Sequence, residues 1–235
     1  MHIPDGFIDP KISYGLMGAA VAVLGYCLAK VREALTALAP QPALAGVGKG
    51  IKSLAGKSHR MLTKFGEQKL YLMGMVAALV FAAQMFNFPV DKGTSGHLIG
   101  GVLAVVLLGP FAGTIALAAV VIIQSLFFAD GGLVALGANV INMAGLGALT
   151  GFYIYAGLRK HLTEWLSIAL AAWCSVMLAA SAASLEIGLS GTFALGTVML
   201  AMLKVHSVIG VAEALITVVL VKTFRKLVPG GEAER

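Results

Sequence analysis

Apolar residues run along this chain in long continuous stretches, and the short segments between them hold most of the charge. A stretch of roughly 20 such residues spans a ~30 Å hydrocarbon core as a helix. The pattern predicts helices over about 12–30, 69–88, 111–128, 138–157, 163–185 and 193–222, with a shorter one over 97–108 closed by Gly109-Pro110. The runs are rich in Ala, Leu and Gly and show no two-residue alternation, which argues against a β-barrel. The short helix is too brief to cross unless adjoining loop backbone also lies inside the bundle, where protein or a cavity surrounds it.

Composition supports the same class. The chain is 59% hydrophobic and 12% charged, against about 25% charged for a soluble domain. The fold expected is an all-α polytopic membrane protein of about seven transmembrane helices, forming one domain over residues 1–235. Charge sets its direction. Lys30, Arg32, Lys49, Lys52, Lys57, Arg60, Lys64 and Lys69 lie between the first two helices against Glu33 and Glu67. Arg159-Lys160 and then Lys222, Arg225 and Lys226 fall on the same side if seven passes alternate. By the positive-inside rule that side is cytoplasmic, which puts the N-terminus outside and the C-terminus inside. The net charge of +6 is thus a topological signal and not one for nucleic acid. Residues 36–66 form a basic cytoplasmic insert, either a solvated loop or an amphipathic segment lying on anionic lipid. Cys27 and Cys174 sit in apolar runs as small hydrophobic residues. The first run lacks a basic flank and a small-residue cleavage site, so it is expected to be retained.

The chain starts Met1-His2, and a free amine followed by histidine is a chelator. The amine, the His2 amide nitrogen and Nδ1 of its ring close fused five- and six-membered rings around one ion. The large side chain at position 2 discourages removal of Met1. Pro4 and Asp5-Gly6 suggest a turn that folds this end back on the protein. A planar ion needs a fourth nitrogen. His97 offers one, from a glycine-rich loop, Gly93-Thr94-Ser95-Gly96-His97-Leu98-Ile99-Gly100-Gly101, on the same side as Met1. Taken alone, His97 is equally well a capping or loop residue. Tetragonal all-nitrogen coordination suits Ni(II) or Cu(II), and Co(II) can be drawn into it.

These residues carry a resemblance. Met1-His2-Ile3-Pro4-Asp5-Gly6-Phe7, the segment Phe81-Ala82-Ala83-Gln84-Met85-Phe86-Asn87-Phe88-Pro89 and the His97 loop are similar to the CbiM/NikM family. So are Asp130-Gly131-Gly132 with Leu136-Gly137-Ala138-Asn139, and His206-Ser207-Val208-Ile209-Gly210 with Glu213-Ala214. The family comprises substrate-binding membrane components of energy-coupling-factor importers for cobalt and nickel. The resemblance implies a transported Ni(II) or Co(II) held by Met1, His2 and His97, with 1–11 as an extracytoplasmic metal-binding segment. It implies no resident cofactor. The implied partners are a coupling transmembrane subunit, cytoplasmic ATPase subunits and a small accessory membrane subunit, all in the inner membrane. The 36–66 insert departs from shorter members.

Other polar residues leave alternatives open. His206 and Glu213, two turns apart on the last helix, suit a proton-linked pair, an exit-path element or interhelical hydrogen bonding. Gln84, Asn87, Asn139 and Asn142 are expected around the N-terminal segment or the His97 loop. Gly74, Ala78 and Ala82 form a small-residue stripe for either a coupling subunit or packing within the bundle. Enzyme classes find no support. There is no H-E-x-x-H pair, and Gly46-Val47-Gly48-Lys49-Gly50 lacks the phosphate-loop spacing, so ATP hydrolysis would belong to another chain.

Overall fold

A computed structural model describes residues 2–38, 60–85, 88–90 and 94–227. Eight α-helices are described: α1 Pro10–Leu35, α2 Lys64–Gln84, α3 Gly101–Leu108, α4 Pro110–Phe128, α5 Leu136–Val140, α6 Gly151–Leu158, α7 Glu164–Leu189 and α8 Leu195–Leu227. A π-helical segment, Ile141–Thr150, joins α5 to α6, so that 136–158 forms one continuous rod. Strands β1 (Thr36–Leu38) and β2 (Arg60–Leu62) pair antiparallel, with Ala37 opposite Met61. Strands β3 (Phe88–Val90) and β4 (Thr94–Gly96) do the same, with Pro89 opposite Ser95.

The ends of these helices follow from local chemistry. Asp9 caps α1 by accepting the Lys11 N–H, and Pro10 takes the first turn, where its missing N–H costs nothing. Thr63 caps α2 by accepting the Gly66 N–H at 2.9 Å, with Glu67 in the first turn. This starts α2 five residues before the expected position, so its first turn already lies within the basic segment. Residues 39–59, the centre of that insert, lie outside the described residues, as does Asn87.

Among the described residues six helical rods are long and apolar enough to cross a membrane. The stretch 97–108 is shorter and composite. His97–Gly100 is non-helical and α3 follows it for only eight residues. The eight helical residues at ~1.5 Å cover only about 12 Å, well short of the hydrocarbon thickness. His97 sits beside His2, whereas Leu108 and Gly109 share a cleft with Lys30 and Lys69 at the opposite end. At that same basic end Arg225 pairs with Glu164 at 2.9 Å and Lys222 lies over the Trp165 ring. The sequence expectation of a helix over all of 97–108 is therefore corrected: Gly100, at φ 72°, cannot continue a helix backward, and residues 97–100 are non-helical.

α3 is apolar on every side and sits at the centre, with Val102, Leu103, Ala104, Val105 and Leu108 all buried. Small residues let its neighbours close on it. Gly101 packs on the Gly147 carbonyl of the π segment, and Gly113 of α4 faces the Ala104–Val105 backbone. By contrast Gly74, Ala78 and Ala82 are exposed, and a Cβ at Gly74 would meet nothing. Among the described residues this stripe does not serve packing within the bundle.

A Cβ at Gly113 would lie 2.7 Å from α3 backbone atoms that cannot retreat. Gly113→Ala is expected to cost about 1–3 kcal/mol by overpacking, seen as a lower melting temperature in detergent. An unchanged melting temperature would show that the two helices are not in this contact.

Candidate metal site

The site begins with the way the N-terminal segment is pinned. Ile3 donates its N–H to Asn139 Oδ1 at 2.8 Å, and Asn139 Nδ2 returns a bond to the Ile3 carbonyl at 3.1 Å. The same carbonyl accepts the Gly132 N–H at 2.9 Å. Asp5 then accepts three successive N–H groups, from Leu133 (3.0 Å), Val134 (2.8 Å) and Ala135 (3.2 Å). Further along, Thr192 donates to the Phe7 carbonyl and Ser190 accepts the Asp9 N–H. Residues 2–9 are thereby tied to the loop after α4 and to the α7–α8 turn. Glycine is required where the two chains touch: a Cβ at Gly132 would run into Asp5, and Gly131, at φ 98°, lies against Asn139 and His2.

This docking buries His2, at 4% exposure, against His97, at 1%. Their ring centroids are 4.6 Å apart at 33°. His97 Nδ1 lies 2.7 Å from the Leu98 carbonyl, which requires the proton on Nδ1 and leaves the Nε2 lone pair free. That Nε2 is buried and has no partner. His2 Nδ1 is 3.0 Å from Asp130 Oδ1, and its Nε2 has no partner either. Burial holds the His2 imidazole below its ordinary pKa range against the opposing pull of Asp130. Contact with His2 in turn keeps the Asp130 carboxyl below its usual value. Two neutral imidazoles with unused lone pairs, beside a carboxylate, are a donor set for a borderline divalent cation.

Met1 lies outside the described residues. Among the described residues no three His, Cys, Asp or Glu side chains converge on one metal position. The side chains described thus bring together two imidazoles.

Neighbouring polar residues divide between scaffold and loop. Gln84 Nε2 donates to the Ile99 carbonyl at 2.6 Å and Asn139 holds Ile3, both as expected from the sequence. Asn142 instead donates to Glu186 Oε2 at 2.7 Å, linking the π segment to α7. Glu213 reaches the His97 loop, where Oε2 accepts the Ile99 N–H at 2.6 Å and Oε1 the Gly100 N–H at 2.9 Å. His206 is fully buried, its Nδ1 2.8 Å from the Met202 carbonyl and its Nε2 without a partner. His206 and Glu213 make no contact with each other that would form a proton-linked pair. Sequence reasoning missed Asp5 and Asp130 as structural parts of the site. The available signal was that each precedes a glycine outside the basic segments.

Residues 2–230 match the family described as the cobalt uptake substrate-specific transmembrane region, CbiM. The chain belongs to the CbiM family. It is 37% identical over 221 residues to a putative metal transport protein of Haloquadratum walsbyi, covering 92% of this chain and 86% of that one. It is 29% identical over 230 residues to the cobalt transport protein CbiM of Lachnoclostridium phytofermentans, covering 94% and 80%. A putative fused nickel transport protein NikMN of Archaeoglobus fulgidus is 37% identical over 219 residues, and the chain spans 63% of that relative's length. The crystal structure of a truncated transition metal transporter superposes with a TM-score of 0.78 at 30% identity, covering 97% of this chain and 99% of that one. The fold of this CbiM-family chain is therefore that of a membrane metal transport protein.

Replacing Gly132 by Ala would push Asp5 off its three N–H donors and loosen the N-terminal segment. His2 in Gly132→Ala is then expected to react faster with diethylpyrocarbonate than in the parent, as read by peptide mass mapping. Equal protection of His2 in both proteins would count against this docking.

Proposed function

We propose that this chain captures Ni(II) or Co(II) and carries it through the membrane as the substrate-specific component of an energy-coupling-factor importer. The ion is the substrate and no resident cofactor is needed. The donors are the Met1 amine, the amide nitrogen and Nδ1 of His2, and Nε2 of His97. The observation that supports this most directly is the unpartnered, buried Nε2 of His97 next to a His2 held in place by the docked N-terminal backbone. Buried polar atoms are mostly paired, so unpaired nitrogens on two adjoining imidazoles suit a place for a ligand. Binding exchanges the Asp130 carboxylate at His2 Nδ1 for the ion, and Asp130 remains beside it to offset positive charge.

The direction follows from the basic end of the bundle, which includes Lys30, Lys69, Lys222 and Arg225 and faces the cytoplasm by the positive-inside rule. Residues 1–11 then form the outer capture segment and 36–66 the cytoplasmic insert. Energy comes from separate ATPase subunits, because the chain has no phosphate-binding loop. The exposed stripe of Gly74, Ala78 and Ala82 gives a coupling subunit a surface on which its helix can approach closely. The protein is a multi-pass component of the inner membrane.

The test is Ni(II) and Co(II) titration of purified protein with a native N-terminus. His97→Ala, and separately one residue added before Met1, should each weaken binding about 100-fold or more, ~2.7 kcal/mol. The extension matters because it turns the amine into an amide. Wild-type affinity in the extended protein would refute the site.

Proton competition gives a second expectation. Free histidine titrates near ~6.5, and burial lowers the His2 imidazole here, whereas an α-amine titrates near ~8. Affinity should therefore fall with pH already from about 8 as the amine protonates. The additional imidazole protons should enter only below ~6.5. A steepening centred at or above 6.5, or a flat profile between pH 5 and 8, would contradict this.

A further inference from the structure

Residues 98–100 connect the His97 ring to α3 and are gripped from two helices. From α2, Gln84 donates to the Ile99 carbonyl. From α8, Glu213 accepts the N–H groups of Ile99 and Gly100, one on each carboxyl oxygen, across more than a hundred residues of sequence. Glu213 is 2% exposed in the interior of a membrane-crossing helix, where an ionisable group is expensive and marks function by default.

The geometry of a single peptide group connects Glu213 to the imidazole. The Leu98 carbonyl and the Ile99 N–H belong to the same planar unit and point in opposite directions along it. His97 Nδ1 donates to that carbonyl at 2.7 Å, and Glu213 Oε2 accepts that N–H at 2.6 Å. Fixing one end of the plane fixes the other, and with it the orientation of the ring and of its free Nε2. We infer that Glu213 is the positioning residue for His97, setting the direction of Nε2 through the Leu98–Ile99 peptide. The arrangement extends the support usual for a metal-binding histidine by one step, from carboxylate to peptide to imidazole. Ile99 and Gly100 precede the first residue of α3, so the carboxyl group holds the loop as well as capping the helix. The inference rests on His97 being a ligand of the transported ion.

A double-mutant cycle separates this role from general packing. Ni(II) is titrated into the full chain with a native N-terminus as wild type, Glu213→Ala, His97→Ala and the double variant. Glu213→Ala should raise the dissociation constant roughly 10- to 100-fold when His97 is present, and cause no further change when His97 is absent. Glu213→Gln, whose one oxygen can still accept the Ile99 N–H, should recover most of the loss. An equal loss in both backgrounds, or no loss with His97 present, would overturn the positioning role while leaving the metal site standing. Absence of Ni(II) binding by wild type would overturn both. If Glu213→Ala does not fold, the cycle is run with Glu213→Gln, where a smaller loss must again be confined to proteins that keep His97.

Discussion

A chain terminus is the part of a protein with most freedom to lose, and ordering it costs roughly 1–2 kcal/mol of backbone entropy per residue. Here that cost is met by main-chain recognition. Asn139 treats Ile3 as a neighbouring strand would, bonding both its N–H and its carbonyl, and Asp5 gathers three N–H groups from the loop that follows α4. The burial of His2, its contact with Asp130 and its approach to His97 all follow from that docking. Glycines at 131 and 132 are the condition for it, because side chains there would occupy the space of His2 and Asp5.

The second half of the site depends on a different support. His97 belongs to a non-helical stretch that is buried in the interior beside α2 and α8. Backbone of that kind is stable at membrane depth only when its polar groups are taken up by protein. Gln84 and Glu213 take up those of Ile99 and Gly100. The two histidines thus arrive from opposite sides, one on a tethered terminus and one on a braced interior stretch.

The six long helical rods were legible in the sequence because twenty apolar residues have few alternatives in a membrane, and the shortness of the helix after His97 was legible as well. The pairing of His2 with His97 followed from topology and chelate chemistry before any coordinates. What the sequence did not reveal is how the pieces are held. Asp5 and Asp130 looked like turn residues, because an aspartate before glycine has a sufficient local explanation. Asn142 pairs with Glu186 and not with the N-terminal segment, a choice decided by the π-helical turn. His206 and Glu213 share a face of α8 yet have separate partners, one on its own helix and the other on the His97 loop. Periodicity places two residues on one side of a helix but does not say what stands opposite.

The composite stretch 97–108 also bears on how the protein is made. α3 is about 12 Å long, well short of what a bilayer needs to retain a helix by itself. Among the described residues its apolar surface is covered by α2, α4, α6, α7, α8 and the π segment, most of which are synthesised later. The stretch from His97 to Leu108 must therefore wait for the C-terminal helices before it can settle. The meeting of the two histidines is thus completed last, and a chain interrupted before α8 would hold His2 with no second histidine braced against it.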